Sequence, residues 1–134
     1  MMFARDFRVE KTTTIHAAPE RVLRLVDSLY MWRAWSASDR RHPMANRTYS
    51  GAKRGRGAVV SWDGGRMEIV DASTDRVAVA LDGVVAEFKL EPEGEATRVT
   101  WSVAGQRPLF TNIDEVLKSE FEEGVENLRA LAEA

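Results

Sequence analysis

Residues 112–134 read NIDEVLKSEFEEGVENLRALAEA, and the fold is decided there. Ile113, Leu117, Phe121, Gly124, Leu128 and Leu131 recur at helical spacing, which predicts a helix of about twenty residues with one apolar stripe. Lys118, Glu122, Glu126 and Arg129 fall away from that stripe. Asn112, followed three residues later by Glu115, is a capping-box arrangement, and Asp114 adds negative charge where the helix dipole favours it. A helix of this kind has to bury its stripe against a large apolar surface.

The residues before it predict that surface. Phe7, Val9, Lys11, Thr13 and Ile15 alternate with Arg8, Glu10, Thr12 and Thr14, a strand pattern rich in β-branched residues. Pro19 then fits the first turn of a helix whose buried positions are Val22, Leu25, Val26 and Leu29, with Arg21, Arg24 and Asp27 on the wet side. Ser28 is placed to cap a second short helix carrying Tyr30, Met31, Trp32 and Trp35, and Ser36 to Asn46, which contains Pro43, reads as a loop. From Arg47 to Ala104 the period is two. Strands are expected around Thr48–Ala52, Ala58–Trp62, Met67–Ile69, Val77–Leu81, Val84–Leu90 and Val99–Val103. Asp82-Gly83 is a two-residue hairpin signal, and consecutive hairpins imply an antiparallel sheet that is apolar on one side. The order is thus strand, two short helices, about six more strands and one long helix. A twisted antiparallel sheet of that size curls, and the long helix laid across it leaves room for a cavity. Residues 1–134 are read as a single α+β domain.

Composition narrows the function classes. The chain has 134 residues, a formal net charge of −2, and 44% hydrophobic and 30% charged residues, which speaks against disorder. With no cysteine, disulfide scaffolds, thiolate zinc sites and cysteine nucleophiles are excluded. Neither a signal-peptide stretch nor an apolar run of membrane-spanning length occurs, so a cytoplasmic location and no integral membrane contact are expected. Charge is uneven: Arg40 to Arg56 holds six basic residues and no acid, while Asp114 onward holds seven acids against Lys118 and Arg129. The favoured explanation is two solvated faces that partly neutralise each other; the sharper one is a basic rim attracting an anionic ligand, RNA or phospholipid head groups. Nucleic acid is not an expected partner.

Trp35-Ser36, His42-Pro43-Met44, Tyr49-Ser50-Gly51, Gly55-Arg56-Gly57-Ala58, Trp62 with Gly64, Thr97-Arg98-Val99-Thr100-Trp101 and Phe121-Glu122-Glu123-Gly124 follow one another in a familiar order. In that order the chain resembles the SRPBCC (START-like, helix-grip) superfamily, and within it the polyketide cyclase/dehydrase and lipid transport branch. The resemblance implies a curved antiparallel sheet of about seven strands wrapped around the C-terminal helix, with a cavity between them. It also implies activities ranging from cyclases and aromatases to carriers of lipids or quinones. Two departures, the short path from Gly64-Gly65 to Met67 and the tight hairpin at Asp82-Gly83, speak against a pocket holding a full polyketide chain.

Trp32, Trp35, Trp62, Met67, Phe88, Trp101, Phe110 and Phe121 point on this pattern toward the space beneath the helix. Indole N–H groups need partners when buried, so these tryptophans are read as pocket walls that also orient a ligand. The expected ligand-binding residues are Trp35, Trp62, Met67, Phe88, Trp101, Leu117 and Phe121, and the expected ligand is a small hydrophobic or amphipathic molecule. Gly124, in the stripe, either packs closely on the sheet or leaves space over the cavity. No catalytic residue, cofactor or metal is assigned. His16 and His42 do not pair at metal-ligand spacing, no nucleophile elbow or phosphate-binding loop occurs, and a triad from Ser36, Asp39 and His42 is rejected. Asp63, Arg66, Tyr49 and Glu120 lie only near the expected cavity edges. Three functions therefore stand: a binding module, a cyclase or dehydratase using the same cavity, and an interaction protein using residues 40–56. An enzyme would need a buried ionisable group with a shifted pKa facing the cavity.

Overall fold

The computed structural model of the chain describes residues 4–81, 83–108 and 113–134. Seven strands form one antiparallel sheet: β1 (Ala4–Ile15), β2 (Arg47–Gly51), β3 (Ala58–Trp62), β4 (Gly65–Ala72), β5 (Arg76–Leu81), β6 (Val84–Glu93) and β7 (Ala96–Pro108). Their spatial order is β1-β7-β6-β5-β4-β3-β2, so the connection from β1 to β2 spans the whole sheet. That connection holds α1 (Pro19–Val26), a 3₁₀ turn (Met31–Ala34) and α2 (Ala37–Arg41). The long α3 (Ile113–Glu133) closes the structure, which is the helix-grip arrangement expected from the alternation and the stripe.

The inward faces of the strands meet as the period of two requires. Val84, Ala86, Phe88 and Leu90 on β6 and Val99, Trp101 and Val103 on β7 are all buried, and Phe88 sits opposite Trp101 in the register. Gly83 takes φ +81° in the β5–β6 hairpin, a conformation glycine adopts without a Cβ penalty. In β4 the register slips between Ile69 and Asp71, a bulge that bends the strand and increases the sheet's twist.

On α3, Gly124, Val125, Leu128 and Ala132 are buried, while Leu117, Phe121 and Leu131 pack on the core with part of their surface exposed. The stripe therefore sinks deepest at the C-terminal half. Arg21 holds that end: its guanidinium donates to the carbonyls of Ala132 (2.6 Å), Ala134 (3.3 Å) and Leu131 (3.4 Å). These are among the last carbonyls of the helix, which lack partners within it. Asn112 of the capping pair, the side chains of Ile113 and Asp114, Asp82 and Phe110 lie outside the described residues.

Three expectations in the β1–β2 connection are corrected. The 3₁₀ turn Met31–Ala34 starts behind Tyr30, with no side-chain cap, and not behind Ser28. Residues 36–46 are not all loop, because Ala37–Arg41 forms a helical turn behind Ser36. Asp27 is not on the wet side; it is buried at the end of α1, where Arg54 donates to both its carboxylate oxygens at 3.1 and 2.7 Å. Gly55 N–H bonds the Asp27 carbonyl at 2.7 Å, so the basic 53–57 turn is fastened to α1. Arg41 likewise pairs with Glu120 and Glu123 of α3. Part of the basic stretch thus neutralises acids within the fold.

Candidate functional site

Under the N-terminal half of α3 lies a cavity of about 340 Å³, near the lower end of the roughly 300–1,000 Å³ range of small-molecule pockets. Its apolar wall comes from Trp35, Trp62, Met67, Leu81, Leu117 and Phe121. Each side chain is set by its element. Met67 and Trp62 stand on the inward face of the β3–β4 hairpin, Leu117 and Phe121 on the α3 stripe four residues apart. Trp62 is opposite Gly65 in the register, and a Cβ at Gly65 would lie 2.5 Å from the indole ring. Glycine there lets the indole fold back over its own hairpin.

Five of the seven expected ligand-binding residues, Trp35, Trp62, Met67, Leu117 and Phe121, are on this wall. Phe88 and Trp101 are not. Both are buried behind it: the Trp101 ring stacks on Phe121 at 5.6 Å, and Phe88 lies 6.2 Å from the same ring. Strand alternation gives the face of a side chain but not its depth beneath a larger neighbour. Phe121 covers both.

The tryptophans also differ from expectation in what their N–H groups do. Trp32 Nε1 donates to the carbonyl of Val26 at 2.9 Å, and Trp35 Nε1 to that of Leu25 at 2.7 Å. These carbonyls end α1 and have no helical partner, so the two indoles cap α1 and are not free to orient a ligand. Their rings lie 4.6 Å apart, and both meet Phe88 edge-on at 5.9 Å. Asn127 of α3 ties down the Trp35 carbonyl at 3.1 Å. Gly124 borders the cavity, and it faces the β1–β2 connection and not the sheet: a Cβ there would meet the Trp35 ring at 3.5 Å, an ordinary contact.

One side of the cavity is polar, and it brings together Ser36, Asp39 and His42, which the sequence names only as a rejected triad and does not place on a wall. Ser36, Ser38, Asp39, His42 and Arg47 line it from α2 and the start of β2, with Glu120 from α3. Asp39 and Arg47 form an ion pair at 3.7 Å whose side chains are only 12% and 11% exposed. Burial pushes the Asp39 carboxyl above the ordinary carboxylate range, against the opposing pull of Arg47 and of a hydrogen bond from Ser36. The available signal was Ser36-x-x-Asp39, the capping-box spacing that opens a helix. Here the Ser36 side chain makes no cap bond to the backbone and serves Asp39 instead.

The other edge residues are placed less centrally. Glu120 is on the wall but engaged by Arg41, Asp63 is exposed, and Arg66 pairs with Glu68 at 3.1 Å. Tyr49 lies outside the wall, its ring 5.3 Å from Tyr30, and its hydroxyl is buried without a hydrogen-bond partner. Burial and the charge of Asp39 raise its phenol pKa, while Arg33 and Arg47 oppose the rise.

A curved seven-stranded sheet gripping a C-terminal helix over a partly apolar cavity defines a helix-grip protein. The chain belongs to the family described as polyketide cyclase / dehydrase and lipid transport, whose model matches residues 6–133. Solved structures agree on the fold. Mll3558 from Rhizobium loti is 16% identical with a TM-score of 0.69, covering 95% of this chain and 97% of that one. The Aha1 dimer from Colwellia psychrerythraea, a solution structure, is 14% identical with a TM-score of 0.72, covering 95% and 96%. A protein from Nitrosospira multiformis is 16% identical with a TM-score of 0.72, covering 94% and 96%. No curated protein matches the sequence. Among the described residues, no helix is long and apolar enough to cross a membrane.

Proposed function

We propose that the protein binds a small hydrophobic or amphipathic molecule, lipid-, quinone- or polyketide-like, in the cavity between α3 and the curved sheet. The observation that supports this reading is the cavity itself, a partly open hollow with large apolar side chains on one side and a polar cluster on the other. The driving force is removal of ligand surface from water. About 200 Å² of apolar surface at roughly 25 cal/mol per Å² contributes about 5 kcal/mol before the cost of association. The test is displacement of a polarity-sensitive naphthylamine dye by fatty acids, quinones and aromatic compounds. Saturable displacement that is lost in Leu117→Trp, which fills the hollow, supports the reading; absence of dye binding and displacement alike would remove it.

A cyclase- or dehydratase-type activity in the same cavity is the second reading, and Asp39 favours it. This carboxyl borders the hollow, is held above its ordinary pKa by burial, and is positioned by Ser36 and Arg47. Such a group can exchange a proton with a bound molecule near neutral pH more readily than an exposed aspartate.

A further inference from the structure

On the outer side of the Asp39–Arg47 pair is a second hollow, of about 480 Å³. Arg33, Arg40 and Arg47 converge on it with Asp39 as the sole carboxylate, a formal balance of +2 from three cations and one anion. Tyr30, Met31 and Pro43 complete the rim. Five other arginines, Arg41, Arg54, Arg76, Arg98 and Arg129, pair with carboxylates, and Arg21 is held by backbone carbonyls. Among the described residues, Arg33 and Arg40 have no carboxylate partner.

Two of the three guanidiniums are already held in place. Arg33 lies over the Tyr30 ring at 4.9 Å, and Arg47 is almost buried against Asp39. Placed guanidiniums recognise carboxylate or phosphate oxygens with little further ordering, because their planar fork matches two oxygens at once. Asp39 and Arg47 also line the inner cavity, so the two hollows adjoin at this pair.

We propose that the outer hollow is a head-group subsite for a phosphate monoester, and that the molecule whose apolar body fills the inner cavity carries that dianion. The excess of +2 matches a dianion better than a single carboxylate, and Arg47 turns part of its guanidinium from Asp39 to the phosphate. This inference rests on the cavity being a ligand site, and it narrows the amphipathic ligand to an anionic one.

The test compares octyl phosphate with octanol by titration calorimetry at pH 7.5, with inorganic phosphate as a third titrant. The expected result is at least tenfold tighter binding of octyl phosphate than octanol. In the Arg33→Gln/Arg40→Gln variant that ratio falls at least fivefold, whereas Lys53→Gln/Arg56→Gln, with equal charge loss on the 53–57 turn, retains it. Equal affinity for octanol and octyl phosphate overturns the head-group subsite while leaving the cavity reading intact. Inorganic phosphate binding as tightly as octyl phosphate overturns it too, since the chain then adds nothing. A ratio that falls equally in both variants assigns the preference to the general field and also overturns it. Failure of all three titrants refutes the cavity reading, and the inference with it.

Discussion

Gly124 tests how α3, Trp35 and the cavity fit together. Glycine inside a helix costs about 1 kcal/mol relative to alanine, and Gly124 is buried in the middle of a 21-residue helix. An added Cβ would lie 3.5 and 3.6 Å from two atoms of the Trp35 ring and 3.7 Å from the Ala37 backbone nitrogen. These are ordinary contacts, so nothing offsets the gain in helix propensity. Gly124→Ala is therefore expected to stabilise the protein by about 1 kcal/mol. With an unfolding entropy of about 2.1 cal/mol/K per residue, that corresponds to a rise of about 3–4 °C in Tm. The added methyl also borders the hollow, so displacement of the bulkiest bound dye weakens. Thermal and urea unfolding monitored by circular dichroism, paired with dye titration, read both effects. Destabilisation by 1 kcal/mol or more would refute the reasoning, because it would mean the Trp35 ring sits closer to the helix than described.

Further substitutions probe the remaining supports. Gly65→Ala has the opposite sign, since its Cβ would fall 2.5 Å from the Trp62 ring; the indole must leave its place on the cavity wall, visible as a shifted tryptophan emission and weaker dye binding. Arg47→Met leaves Asp39 without its ion-pair partner; it is expected to cost about 2 kcal/mol at pH 7, less than the roughly 3–5 of a fully enclosed pair because both groups border open hollows. Urea unfolding measures this loss, and carboxyl NMR should find the Asp39 pKa higher still, with burial unopposed by Arg47. Because the folded-state pKa of Asp39 is raised, its contribution favours folding most below its unfolded value and is lost as pH rises through the folded one. The stability of wild type relative to Asp39→Asn should accordingly fall as pH climbs from about 4 toward neutrality, and a rise in urea experiments would contradict the assignment. Arg21→Ala releases the α3 carbonyls and is expected to cost about 1 kcal/mol, with faster amide exchange confined to the last turn of the helix.

What could be read from the sequence followed the strength of its periods. The α3 stripe and the alternation of Val84, Ala86, Phe88 and Leu90 repeat often enough to fix an element and its inward face. The polar wall had no such repeat. Five residues make α2, too few for a helical period to emerge, and Pro43 nearby favours a loop reading. Arg47 then reaches Asp39 across a chain reversal that no local pattern encodes. The indoles show a related limit: residue type says that a buried N–H needs a partner, but the carbonyls of Leu25 and Val26 became that partner only once α1 ended beneath Trp32 and Trp35. Trp101 and Phe88 face inward as expected, and Phe121, arriving from the other end of the chain, decides that they support the wall instead of forming it.

Native mass spectrometry tests the central claim most directly. Protein purified gently, then offered a panel of medium-chain alkyl phosphates, fatty acids, quinones and aromatic compounds, is expected to carry one small molecule per chain, with the adduct absent in Leu117→Trp. Bare chain alone across the whole panel, or adducts that survive filling the hollow, would contradict it.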